Sequence, residues 1–151
     1  MPAPPEAERG TANALRGFLL AVLILGVLGT LAELYLLEHF EQWWQVTPLV
    51  LLGISTPLIV LCAAHPSPAV LSAMRALMLT FVVVGVLGVY QHYTGNAEFE
   101  LEMYPSRAGL ELFRESLKGA TPTLAPASLS WIGLIGLAFA FRHPAGHKID
   151  R

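Results

Sequence analysis

LTFVVVGVLGV, residues 79–89, carries no charge and does not alternate between polar and apolar positions. It lies within Ala69–Tyr90, twenty-two residues whose one charge, Arg75, stands near the start. About 20 helical residues cross a hydrocarbon core of roughly 30 Å. A closed barrel, the other spanning solution, needs short alternating strands. AVLILGVLG at 21–29 fails to alternate in the same way. Three further stretches have the length to span: Phe18–Leu37 with one charge, Glu33, and the uncharged Val46–Ala64 and Leu124–Phe141. The expected fold is all-α, a four-helix transmembrane bundle over residues 17–143, between tails at 1–16 and 144–151. The N-terminal MPAPPEAE reads as flexible, and both tails as cytoplasmic.

Composition agrees with that reading. Of 151 residues, 54% are hydrophobic and 13% charged, and the mean hydropathy is +0.57. A soluble domain carries about 25% charged residues, and a small one cannot hide this much apolar surface. An ordinary soluble enzyme, a disordered tail and a nucleic-acid binder, which needs clustered Lys and Arg, are all excluded. One cysteine, Cys62, leaves no intramolecular disulfide and no cysteine-rich zinc site. Arg9, Arg16 and Thr30-Leu31-Ala32 sketch a cleaved signal peptide, but the apolar run continues to Leu37, beyond a typical signal core.

Four spans put the N-terminus, the 65–68 turn and the C-terminus on one side. That side holds Arg9, Arg16, Arg75, Arg142, Lys148 and Arg151; the other holds Arg107, Arg114 and Lys118. The bias predicts both termini of a multi-pass membrane protein on the cytoplasmic side. Close approach between helices in lipid depends on small residues. Gly26, Gly29, Gly85, Gly88, Gly133 and Gly136 are the candidate packing positions. GVLG at 26–29 and again at 85–88, each followed by a histidine and then Thr-Pro, hints at an internal repeat. Pro57 should bend the second span, with Ser55 and Thr56 beside it supporting the bent backbone.

The informative chemistry is on the expected outer side. The 91–122 loop is long enough to be functional or self-structured. Glu98, Glu100 and Glu102 alternate with Phe99, Leu101 and Met103, which predicts an extended segment with its carboxylates on one face. Ser106–Lys118 is amphipathic at helical spacing, with Leu110, Phe113 and Leu117 on one side, Ser106 as cap and Gly119 as stop. Such a helix lies along the membrane surface or caps the bundle. His39 and His92 share this side with Glu38, Glu41, Glu98, Glu100 and Glu102, a workable ligand set for Zn, Mn or Fe, although no HxxxH or ExxH spacing specifies a site. Paired histidines at the two ends, His39 with His92 and His65 with His143, sketch a haem arrangement, but they lie at span edges and not well inside helices. Glu33 is the one carboxylate within a span, a functional candidate by cost and within snorkelling reach by depth. Trp43, Trp44, Tyr35, Tyr90 and Tyr93 form an expected aromatic belt.

ELYLLEHFEQWWQVTPL at 33–49, GNAEFELEMYP at 95–105 and FRHP at 141–144 together resemble a family of small uncharacterised bacterial four-span membrane proteins. The resemblance covers most of residues 18–144. It implies a bacterial inner-membrane context and draws interest to Glu33, His39, Gln45 and the Glu98–Glu102 run, and it transfers no function. No nucleophile–base pair, phosphate loop or protease motif is present in the sequence. Two functions from different classes follow. One is a non-catalytic accessory or assembly subunit that binds other membrane proteins through Gly-lined helices and an acidic outer loop, without cofactor or nucleic acid. The other is a metal- or haem-binding membrane protein, for electron transfer or transport, using the outer His and Glu residues.

Overall fold

The structure, a computed structural model, describes residues 6–146. Every element among them is helical: α1 (Glu6–Leu36), α2 (Trp43–Ala64), α3 (Pro68–Met103), α4 (Gly109–Lys118), α5 (Ala127–Ala140), and a 3₁₀ turn at Pro144–Gly146. Three of them, α1, α2 and α3, are long and apolar enough to cross a membrane, and α5 is a shorter apolar helix. At about 1.5 Å per residue the 14 residues of α5 extend roughly 21 Å. The expected tails reach beyond the described residues, which exclude Lys148, Asp150 and Arg151. Their described part differs from expectation: Glu6–Arg16 is already helical. Glu6 and Glu8 in the first turn face the positive end of the helix dipole, and Ala7, Ala12 and Ala14 favour helix.

Local chemistry fixes the helix ends. Ser67 caps α3, its hydroxyl accepting from Val70 N at 3.3 Å, and Pro68 follows where no N–H is needed. Gln45 turns back to accept the Gln42 N–H at 2.9 Å at the start of α2. Helix α1 closes with His39 N–H on Leu34 O and Glu38 N–H on Tyr35 O, the bond pattern that normally ends on a left-handed glycine. Here Glu38 holds that position, at φ 52°. Helix α2 stays continuous through Pro48 and Pro57. Ser55 and Thr56 donate to Leu52 O at 2.8 and 3.1 Å, one carbonyl before the Gly53 oxygen that Pro57 leaves without a helical N–H. Hydroxyl reach is set by i−3 and i−4 geometry, so the support falls on the turn and not on the freed group itself.

Helix α3 packs against α2, α4 and α5, while α1 packs against α2 and α5. Leu23 and Val27 of α1, Leu52 and Ile59 of α2, Met74, Met78 and Phe81 of α3, and Leu129 and Ile132 of α5 share one core. A smaller cluster joins Cys62, Leu71, Phe139 and Ala140. The α3–α5 seam runs antiparallel over small residues. A Cβ on Gly88 would stand 2.7 Å from Pro126 Cβ, and one on Gly85 2.7 Å from Ser130 N. One on Gly133 would meet Met78 O at 2.6 Å, and one on Gly136 would enter the Met78 side chain. Ser130 Oγ donates to Val82 O at 3.0 Å across the same seam. Gly26 faces Ile132 at 3.3 Å, so α1 approaches α5 by the same device. Gly29 differs, with nothing within 4 Å.

Candidate functional site

The end of the molecule that carries α4 is built on an extension of α3. That helix has 36 residues, about 54 Å, against a hydrocarbon core of roughly 30 Å. Its polar part, from Gln91 to Met103, therefore continues as helix where a loop and an extended segment were expected. Ala97, Glu98, Glu100, Leu101, Glu102 and Met103 are strong helix formers, and no strand pairs with them among the described residues. The consequence for the carboxylates is direct. Glu98 and Glu102, one turn apart, are exposed. Glu100, between them, points elsewhere and forms an ion pair with Arg107.

Arg107 organises the turn after α3. Besides Glu100 it meets Glu111 Oε1 through Nε at 3.3 Å, and its guanidinium lies 3.9 Å from the centroid of the Tyr104 ring. Gly109 then adopts φ 57°, a left-handed backbone that glycine takes without strain, as α4 begins. The helical stretch is the one the amphipathic pattern indicates, although Ala108 and not Ser106 precedes it. Gly119 ends it as expected.

Asn96 is the centre of this end, and sequence reasoning did not single it out. It is 3% exposed. Its Nδ2 donates to Ser116 O at 3.0 Å, Thr121 O at 2.8 Å and Thr123 Oγ1 at 2.9 Å. Its Oδ1 accepts from Thr121 N at 3.1 Å and Thr121 Oγ1 at 2.8 Å. Thr123 Oγ1 in turn donates to Ser116 O at 3.1 Å. One amide thus reaches a terminal carbonyl of α4, three polar groups of Thr121 and the Thr123 hydroxyl, its two Nδ2 protons shared among three acceptors. Gly119 admits that side chain, since a Cβ there would meet Asn96 Nδ2 at 2.6 Å. His92 ties the same return strand one turn lower. Its Nδ1 lies 3.1 Å from Pro122 O, and because a carbonyl only accepts, Nδ1 carries the proton.

Burial holds the His39 pKa below the ordinary imidazole value, and the charge of His92 lowers it further. Glu38 and Glu41 are exposed on the 37–42 turn. Among the described residues, no group of three or more His, Cys, Asp or Glu side chains stands close enough to hold a metal ion. Of the other histidine pair, His65 is exposed at the end of α2 and His143 accepts Ala145 N–H through Nδ1 at 3.3 Å. Glu33 is exposed in the last turn of α1, facing away from the packed core.

An apolar stripe of Leu110, Phe113 and Leu117 runs along the flank of α4, while the exposed Glu111, Arg114 and Lys118 lie opposite Ser116. Ser116 is buried against Asn96, whereas Leu110 is 71% and Phe113 47% exposed. Phe113 still touches Tyr93, with ring centroids 5.8 Å apart. A shallow groove along the α3 and α5 surfaces is lined by Val86, Val89, Ala127 and Trp131. The arrangement can present a surface. Comparison with protein-family models, with curated proteins and with solved structures finds no match to this chain.

Proposed function

We propose that the chain is a non-catalytic accessory or assembly subunit of a larger bacterial inner-membrane complex. In this reading α1, α2, α3 and α5 form a four-helix membrane bundle with both termini in the cytoplasm, and α4 stands outside. The antiparallel course of α5 along the apolar part of α3, from Gly88 to Arg75, supports the fourth crossing. The observation that carries the functional reading is the Asn96 network. A buried amide is costly unless its partners are all in place, and when they are it fixes one shape. The network holds α4 and its apolar stripe rigidly on the α3 extension, which suits recognition of a protein surface. Other membrane subunits and lipid are the partners.

Purification of tagged protein from mildly solubilised native membranes tests this reading. A defined larger assembly should co-purify with wild type and be lost with Phe113→Asp, which changes an exposed position. Recovery of the chain alone from native membranes overturns it. A metal or haem reading would use His39 and His92, the two histidines at the α4 end, where the charge of His92 acts on His39. A Soret band or stoichiometric metal in the purified protein would support that alternative.

A further inference from the structure

At the end of the helices opposite α4, arginines of α1 and α3 reach the backbone around the end of α5, beside Arg142. Arg75 of α3 donates through Nη2 to Ala140 O at 2.8 Å, and Arg16 of α1 donates through Nη2 to Arg142 O at 3.1 Å. Ala140 O is the last carbonyl of α5, where carbonyls lack helical partners and carry partial negative charge, and Arg142 O lies two residues beyond it. Arg142 itself follows that end, exposed, at φ 44°. Glycine normally fills such a position, and an arginine there costs backbone strain.

The helix end accounts for only part of this charge, since its dipole is worth about half an elementary charge. Ion pairs do not supply the rest. Those among the described residues involve Arg107 and Lys118 beside α4, and none involves Arg16, Arg75 or Arg142. Arg16 has one further partner, Asn13 Oδ1 at 3.5 Å. A guanidinium has more donors than either anchored arginine uses. No buried side-chain nitrogen among the described residues lacks a partner, so the unused donors reach the surface. His143 sits among them, its pKa held down first by burial and then by the charges of Arg16 and Arg75. Topology requires basic residues on one side of a membrane. It does not require three of them to converge on one helix end.

We infer that Arg16, Arg75 and Arg142 form a site for the phosphate of an anionic phospholipid in the adjoining leaflet. Guanidinium binds phosphate through paired, charge-assisted hydrogen bonds, and basic pockets between helices take anionic headgroups. A lipid, and not a soluble phosphate, fits the surroundings. Phe18, 65% exposed, lies two residues from Arg16, and Phe141, 67% exposed, adjoins Arg142, giving acyl chains an apolar flank beside the charged group. The inference rests on placement in a membrane and not on any protein partner.

The full chain in neutral detergent tests it, with phosphatidylglycerol, phosphatidylcholine or inorganic phosphate added at equal concentration. Phosphatidylglycerol alone should raise the thermal midpoint and remain bound in native mass spectrometry. Arg142→Gln should weaken its retention about fivefold, the equivalent of roughly 1 kcal/mol per arginine near a lipid surface. The lipid-free midpoint of that variant should change little, because the Arg142 side chain makes no hydrogen bond among the described residues and its one aromatic contact, 5.6 Å from the centroid of the Phe141 ring, is at an exposed site. Arg16→Gln combined with Arg142→Gln should weaken retention further. Equal retention of phosphatidylcholine, an equal midpoint rise with inorganic phosphate, or undiminished phosphatidylglycerol retention in the double variant overturns the site. None of these readouts involves a protein partner, so loss of the subunit reading leaves the result interpretable.

Discussion

Asn96 shows how much one buried polar side chain can decide. Replacing it with Leu removes the amide but leaves Ser116 O, Thr121 and Thr123 in place without it. An orphaned buried polar group costs about 1–3 kcal/mol, so Asn96→Leu should lower stability by roughly 3 kcal/mol in total. The damage should be local. Limited proteolysis should cut between 104 and 123 much faster than in wild type while the apolar helices stay intact, and an unchanged cleavage pattern would show that α4 is held by other means. Glu38 makes the opposite case. It occupies a left-handed position at φ 52° that suits glycine, and a left-handed conformation costs a non-glycine residue about 1–2 kcal/mol. Glu38→Gly should therefore raise stability by about 0.5–1 kcal/mol in chemical denaturation, once the extra chain entropy of glycine is subtracted. A gain in stability with unchanged partner recovery would mark Glu38 as a tolerated strain; a gain with lost recovery would mark the carboxylate as functional.

Elements were legible in the sequence where lipid and core make the same demand. The four apolar stretches fall on α1, α2, α3 and α5, because hydropathy averaged over a span is insensitive to detail. Helix α4 was legible because its period is strong over ten residues. The continuation of α3 was not, because Glu98, Glu100 and Glu102 imitate a strand over too few residues to outweigh helix propensity. A helical signal was present in the same stretch: Tyr93, Asn96 and Glu100 recur at i, i+3 and i+7, and these three meet Phe113, Ser116 and Arg107. Small residues read only as a class, and packing separates them. Gly88→Leu should destabilise the protein by about 2 kcal/mol, because α5 cannot carry Pro126 Cβ away from the new side chain without opening the seam. Gly29→Leu should change the thermal midpoint of the isolated chain little, since the position is open. Its measurement in the co-purified assembly is the informative one: a loss confined to the assembly would place a partner helix on that face of α1.

At the scale of the whole molecule, the proposed topology makes a testable statement about orientation. The α4 end holds Glu98, Glu100, Glu102, Glu111 and Glu115 with basic residues largely committed to ion pairs, while the opposite end gathers Arg16, Arg75 and Arg142 around the end of α5. Positive charge resists export, so the arginine end should face the cytoplasm and α4 the periplasm. Internal packing does not choose between orientations, because the same contacts form either way up. Single-cysteine labelling in intact cells decides it, in a background where buried Cys62 is replaced by Ala. Ser106→Cys, exposed in the turn before α4, should react with a membrane-impermeant maleimide in cells whose outer membrane alone is opened. Ala64→Cys, exposed at the end of α2, should react only after the inner membrane is breached. Adding positive charge beside α4, by Glu98→Lys and Glu102→Lys together, should then reduce the fraction of chains with Ser106→Cys accessible, because orientation follows the difference between the two sides. Labelling of Ser106→Cys only after the inner membrane is breached would invert the molecule, moving α4 to the cytoplasm and the arginine site to the outer leaflet.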